Sequence, residues 1–370
     1  MKLITKQLHS ALAEVGKIIK TRTTMPAASC VKLSMTEDDR LEISATNTES
    51  WISRRIDADG AIGTVLVNYQ VFRSLIDGIM SESFHLTLDG SKLTIRKPNG
   101  SLVVKTMDAA EFPSTPTDKG KPLAVNLEDL AEGIEATAWA ANRDQTAKAL
   151  ALCVLIDMQP TELACAATTL TRFAFFRKPS VCETRTLMLP AAMSGAVIPL
   201  MREKGSGAFL SENMFHVEAP TGSITVKLIA LAQPWPYKQF IEARGKDEGI
   251  FLNREALLAN CRTALATSDS VGHRSAGNIK ILRVGASDNV TVTLVGCKNA
   301  DGDEEIEASG GPIDVLLPAD QLAEALSKSS DENVRIILSE NAAYIEDGSA
   351  LLHAIGKCRP KTELETTPSK

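Results

Sequence analysis

The chain has 370 residues, of which 44% are apolar and 23% charged, and carries a formal net charge of −6. This is an ordinary globular composition, too long for one comfortable core, so two or three domains are expected, and no apolar run reaches the length needed to cross a bilayer. The negative balance excludes a protein that holds nucleic acid mainly through a strong overall positive field.

In chain order, the first element is an amphipathic helix from about residue 5, with Leu8, Leu12, Val15 and Ile19 on one stripe and Lys6, Ser10, Lys17 and Lys20 on the other. Arg22 follows it. Five further helix starts are each announced by an apolar residue followed by Asn or Pro: Val67-Asn68, Val125-Asn126, Leu189-Pro190, Leu252-Asn253 and Leu317-Pro318. Asn suits an N-cap, and Pro suits the first helical turn, where no hydrogen bond is lost. The six starts are 63, 58, 64, 63 and 65 residues apart. Arg73 lies on the second helix, Arg143 and Lys148 follow the third, Arg202 and Lys204 end the fourth, Arg254 and Arg262 lie on the fifth and Lys328 ends the sixth. The third helix has the opposite sign on its polar side, with Glu128, Glu132 and Glu135. Basic residues at helix ends also complement the macrodipole, so the pattern alone does not assign a ligand.

Between the helices run short alternating stretches, among them VKLSM, HLTLD, NIKILRV and NVRIILS, separated by turn residues, as antiparallel strands with one wet face require. One hairpin recurs: Pro98, Gly100, Ser101 and Lys105 have counterparts at Pro220, Gly222, Ser223 and Lys227, and Phe112-Pro113 at Trp235-Pro236. A fainter echo has its Gly348-Ser349 near the C-terminus. The expected plan is helix, strands, helix, strands, three times over: domains at 1–118, 122–244 and 249–360, with a disordered tail at 361–370. The fold class is α+β.

Catalytic constellations are missing. Five scattered histidines give no metal-ligand spacing, neither common phosphate-binding glycine loop is present, and no cofactor is implied. The acidic run 301–307, DGDEEIE, is expected to be a solvated loop. Seven cysteines without a CxxC pair suit reduced thiols, and the N-terminus lacks the apolar core of a signal peptide, so a cytoplasmic location is expected.

Three tandem units without a catalytic site, together with TRTTMP at 21–26, MDAAEFPS at 107–114, GIEAT at 133–137, WPYKQFI at 235–241 and IEDGSA at 345–350, resemble the bacterial sliding clamp, the β subunit of the replicative DNA polymerase. The resemblance implies a head-to-tail dimeric ring that encircles duplex DNA and serves DNA polymerase, the clamp loader and other clamp-binding proteins, with no membrane partner. A ring held by topology needs only a mildly basic lining, which reconciles DNA with the acidic total. Lys6, Lys17, Lys20, Arg22, Arg73, Arg143, Lys148, Arg202, Lys204 and Arg254 are then DNA-facing, and Leu102 and Val104 meet the region of Leu265 across the dimer interface. The partner-peptide pocket falls at Leu150, Leu170, Thr171, Arg172, Phe173, Trp235, Phe240, Ile355, Cys358 and Arg359. There the family's Thr-Asp-Gly-His-Arg-Leu reads Thr168-Thr169-Leu170-Thr171-Arg172-Phe173, and its Met-Pro-Met-Arg reads Gly356-Lys357-Cys358-Arg359. Leu170 and Phe173 are expected to narrow the cleft and to favour a motif other than the usual Gln-Leu-x-Leu-Phe. A non-catalytic three-domain scaffold, a single-stranded nucleic-acid binder and an enzyme of unfamiliar type are the competing readings.

Overall fold

The computed structural model describes residues 1–20, 23–142, 147–231, 235–245, 248–268, 277–284, 287–297, 302–348 and 350–358. One order of elements occurs three times. The first repeat is β1 (Lys2–Ile4), α1 (Thr5–Val15), β2 (Cys30–Met35), β3 (Leu41–Thr46), β4 (Ser50–Ile56), β5 (Val65–Asn68), α2 (Tyr69–Asp77), β6 (Ser83–Asp89), β7 (Lys92–Lys97) and β8 (Gly100–Lys105). The second is β9 (Lys121–Pro122), α3 (Leu127–Thr137), β10 (Cys153–Gln159), β11 (Glu162–Thr168), β12 (Arg172–Pro179), β13 (Arg185–Pro190), α4 (Ser194–Met201), β14 (Gly207–Leu210), β15 (Met214–Ala219) and β16 (Gly222–Lys227). A short helix, α5 (Tyr237–Glu242), leads to the third: β17 (Ile250–Asn253), α6 (Arg254–Thr267), β18 (Asn278–Arg283), β19 (Asn289–Val295), β20 (Asp303–Gly310), β21 (Ile313–Pro318), α7 (Ala319–Lys328), β22 (Asn333–Leu338), β23 (Ala342–Asp347) and β24 (Leu351–Gly356).

The helix starts follow the sequence closely. Asn68 accepts from the Val71 amide at 3.1 Å and Asn253 from the Ala256 amide at 3.0 Å, and Asn126 accepts from the Glu128 amide at 2.9 Å, each satisfying an amide that the helix itself cannot. Pro190 and Pro318 differ from expectation: each ends a strand and stands one place before the helical turn, where it contributes no side-chain cap. In the first helix Leu8, Leu12 and Val15 are buried as read, but the α-helix stops at Val15 and tightens into a 3₁₀ turn over Gly16–Ile18. The tighter winding turns Ile18 inward in place of Ile19 and puts Lys17 and Lys20 beyond the helix proper. The acidic run is also corrected: residues 303–310 form β20 rather than a loop, with Ile306 and Ala308 buried between exposed carboxylates. All seven cysteines are free thiols and six are buried; burial pushes the Cys153 thiol up to about 11.

The chain packs as two compact units: Met1–Ala131 with Val181–Glu183 and Leu187–Ala230, and Glu132–Ser180 with Thr184–Thr186 and the chain from Leu231 onward. In the first, β1-β6-β7-β8 form one antiparallel sheet, and a second runs β5-β2-β3-β4-β16-β15-β14-β9. The second sheet joins two repeats through a seam in which Arg54, Ser53, Ile52, Trp51 and Ser50 of β4 face Gly222, Ser223, Ile224, Thr225 and Val226 of β16. In the second unit the pairing runs β10-β11-β12-β24-β23-β22-β17-β20-β19-β18-β21, and the corresponding seam sets Arg172 to Phe176 of β12 against Ile355 to Leu351 of β24. The rule is the same at both: the fourth strand of one repeat pairs with the eighth strand of the next. Gly222 is required at the first seam, since a Cβ there would stand 2.1 Å from the Ser53 carbonyl oxygen.

Candidate functional site

In the first unit, α1 and α2 pack together, and their outer faces are cross-tied. Arg73 donates to the His9 carbonyl at 2.8 Å and to Asp77 at 3.1 Å, while His9 Nε2 lies 2.9 Å from Asp77. Lys17 Nζ donates to the Gly195 carbonyl at 2.8 Å, Lys20 stands 3.9 Å from Glu49, and Arg202 is 3.2 Å from Glu128. Lys6 and Lys204 are exposed and have no ion-pair partner among the described residues. In the second unit Lys148 is likewise exposed, whereas Arg254 is held at the start of α6 by the Asp331 carbonyl at 2.9 Å and by Glu255 at 2.6 Å. Arg22 and Arg143 lie outside the described residues. The acidic side of α3 is partly compensated: Arg202 meets Glu128, and Lys178 meets Glu132 at 2.7 Å.

The second unit brings some of the expected pocket residues together and separates others. Phe173 is buried and stacks on Phe240 at 5.3 Å, with Trp235 edge-on at 6.0 Å and Phe175 at 6.5 Å. Phe175 in turn stacks on Tyr237 at 5.8 Å, whose hydroxyl donates to Asp157 at 2.8 Å. Burial and that carboxylate push the Tyr237 phenol well above its ordinary value. Strand alternation sends Arg172 to the opposite face. Its guanidinium lies 5.7 Å over Trp139, donates to the Ala141 carbonyl at 3.1 Å and stands 3.5 Å from Glu324 of α7. Ile355, its cross-strand neighbour, is fully buried. Leu170 and Thr171 form the turn before β12, where the Gly356 amide donates to the Thr171 carbonyl at 2.9 Å. Leu150 sits half-buried in a 3₁₀ turn, and Cys358 points elsewhere, its thiol 3.5 Å from Asn278 Oδ1. Arg359 lies outside the described residues.

Sequence reasoning missed Phe175, Tyr237, α5 and Trp139. A signal was present: the chain has only ten Phe, three Trp and three Tyr, yet Phe173, Phe175, Phe176, Trp235, Tyr237 and Phe240 fall in two short segments. The cluster borders a groove of about 440 Å³ whose floor includes Phe175, Ile241 and Leu352 and whose rim includes Lys238 and Glu242.

Of the expected dimer residues, Leu102 and Val104 lie on the edge strand β8 and Leu265 on the helix α6. Among the described residues β8 pairs only with β7; Leu102 is half-buried, Val104 is in the core and Val103 between them is 60% exposed. Among the described residues, 303–307 of β20 pair only with β19. Leu265 is half-buried on α6.

Three repeats of two helices on antiparallel sheets, joined edge to edge by strand pairing, define a clamp-type architecture. Residues 1–116 match the family described as DNA polymerase III beta subunit, N-terminal domain. Along the sequence, the chain is 28% identical over 195 residues to the beta sliding clamp of Synechocystis sp., a match that spans 50% of each protein. It is 21% identical over 355 residues to that of Pseudomonas aeruginosa, covering 94% of this chain and 93% of the other. The fold matches the DNA polymerase III beta subunit of Thermotoga maritima with a TM-score of 0.79 at 16% identity, over 97% of this chain and 99% of that one. The first 116 residues thus match that family's N-terminal domain, and the whole chain is similar to the bacterial beta sliding clamps in sequence and in fold. No helix among the described residues is long and apolar enough to cross a membrane.

Proposed function

We propose that this relative of the sliding clamps works as a non-catalytic processivity factor: two copies close head to tail into a cytoplasmic ring of six domains, three per chain, around duplex DNA. The ring tethers DNA polymerase, the clamp loader and other partners through the groove lined by Phe175, Tyr237 and Ile241, which borders the cluster of Phe173, Trp235 and Phe240. The observation that carries this reading is the seam rule. Fourth strands pair with eighth strands at β4–β16 and β12–β24, and among the described residues one fourth strand, β20, and one eighth strand, β8, lack that neighbour. Open edges of this kind are normally protected or paired.

Their chemistry is complementary. The β20 edge carries Asp303, Glu304, Glu305 and Glu307, and the β7–β8 hairpin carries Lys92, Arg96, Lys97 and Lys105. At Gly222 the neighbouring strand comes within reach of a Cβ, whereas at its repeat counterpart Gly100 nothing lies within 4 Å. Gly100 also needs glycine for its φ of +143°, so it is the open space, rather than the residue type, that speaks for an approaching strand.

Inside such a ring, exposed Lys6, Lys148 and Lys204 supply a weak field while topology supplies retention, so an acidic protein can stay on DNA. The test is retention after loading: the protein should remain on closed circular DNA and be released when the circle is cut. Equal retention on linear and circular DNA, or a monomer at micromolar concentration in sedimentation, would overturn the reading.

A further inference from the structure

We propose that the β12–β24 seam is the hinge of the chain, the place where neighbouring repeats part while the β4–β16 seam stays closed. The backbones of the two seams are alike. Each is a ladder of five facing pairs. Each continues by one bond at either end: the Arg55 amide donates to the Thr221 carbonyl at 2.7 Å and the Lys227 amide to that of Glu49 at 2.9 Å, as the Arg177 amide does to Ala350 at 2.8 Å and the Gly356 amide to Thr171 at 2.9 Å. A difference between the seams therefore comes from their side chains.

At the first seam, polar groups of the two repeats are bonded to one another. Arg54 of β4 meets Glu203 and the Thr221 hydroxyl, Arg55 meets Glu218, and the Ser53 and Ser223 hydroxyls lie 3.1 Å apart. Parting these strands would break all of those contacts, the arginine bonds being charge-assisted. At the second seam, polar atoms have nothing to lose. His353 of β24 is fully buried, and among the described residues neither of its ring nitrogens has a hydrogen-bond partner, nor has Trp139 Nε1 or Arg172 Nε. These groups are neighbours: His353 lies edge-on to Trp139, and the Arg172 guanidinium lies over the same indole. Opening this seam would give each of them water, which lowers the cost of opening. The pair of Arg172 with Glu324 of α7, at 3.5 Å and with a half-exposed carboxylate, opposes that only weakly. On the other face Phe173 and Phe175 find their stacking partners on α5, in Phe240 and Tyr237, while β24 offers Leu352 and Ala354, apolar contacts without direction.

The test is hydrogen exchange of the full-length protein at neutral pH, read amide by amide. The Arg177 and Gly356 amides should be protected about tenfold less than their counterparts at Arg55 and Lys227, the scale expected when orphaned polar groups regain water on opening. His353→Leu removes two of the orphaned atoms; it should raise protection at Arg177 and Gly356 and leave Arg55 and Lys227 as they were. Equal protection at the two seams in the wild type, or greater protection at the second, overturns the hinge. So does a His353→Leu protein whose second seam exchanges as fast as before. Should that variant be loosened throughout, Trp139→Phe, which removes the orphaned indole nitrogen with less change of shape, is judged by the same criterion, and the wild-type ratio decides by itself in either case.

Discussion

Arg54 and Arg55 are consecutive residues of β4, and they clamp the first seam from opposite sides of the same sheet. Arg54 is 6% exposed and meets Glu14 of α1, Glu203 after α4 at 2.6 Å and the Thr221 hydroxyl at 2.6 Å. Arg55 reaches Glu218 of β15 at 3.0 Å and Glu42 of β3 at 3.4 Å, and Lys119 adds a second cation to Glu218 at 2.8 Å. Burial tends to raise the Glu203 carboxyl, but the bonds from Thr221 and Arg54 outweigh it and hold that group below the ordinary carboxylate range.

The two arginines should therefore differ in weight. Arg54→Ala leaves two partly buried carboxylates facing a void and should destabilise the first unit by about 3 kcal/mol, because breaking a buried pair exposes its full desolvation penalty. Arg55→Ala, in a wetter network, should cost under about 1 kcal/mol. Urea unfolding of the two variants checks the order; equal losses would show that the Arg54 cluster is not buried in solution.

If the β20 and β8 edges meet in the dimer, charge reversal at one edge should weaken it and reversal at both should restore it. Glu304→Lys with Glu305→Lys is expected to raise the dimer dissociation constant at low salt, and Arg96→Glu with Lys97→Glu, mixed with it, to recover association. Sedimentation of the variants, alone and mixed, reads this directly. Added salt should shrink all of these differences, since exposed pairs are screened.

His353 of β24 is fully buried against Trp139, with ring centroids 5.2 Å apart, and among the described residues neither ring nitrogen has a hydrogen-bond partner. Burial, with a smaller contribution from Lys328, lowers its pKa to about 3. The unfolded chain thus takes up the proton first: stability is complete above about 6.5 and is lost as pH falls toward about 3. Between pH 7 and pH 5 this one group should remove about 2 kcal/mol. Melting curves at the two values should show that slope in the wild type and a shallower one in His353→Leu.

The exposed lysines give a prediction about salt. Lys6→Ala with Lys204→Ala should reduce the steepness with which weak binding to linear duplex falls as salt rises, by up to about one unit for each phosphate no longer neutralised, and should leave the dimer intact. Titrations at three salt concentrations measure the slope. An unchanged slope would show that neither lysine faces DNA.

Much of this architecture was legible because it is written in local chemistry. Asn68, Asn126 and Asn253 announce their helices, since a cap acts on the next two or three residues alone. The hairpins at Pro98-Asn99 and Pro220-Thr221 are visible for the same reason. What escaped depends on the third dimension. Whether Arg172 shares a cavity with Phe173 is decided by the alternation of β12 and by what Trp139 and Glu324 place on the far side. Residues 303–307 look like a loop in the sequence because a strand at an open edge needs few apolar positions, and only pairing with β19 shows that they are extended.

The unlike edges of the chain have a consequence for how copies can grow together. An edge that fits its own kind stops at two, but one that fits only its opposite passes an unsatisfied partner to the next copy and has no intrinsic stopping point. In a chain ended by β8 and β20, curvature alone separates a closed assembly from an endless one. A substitution at the Arg54 or Arg172 seam that alters the bend between repeats would not simply loosen the protein. If the proposed ring forms, such a change would convert the closed pair into filaments, an outcome visible by electron microscopy before any loss of folding.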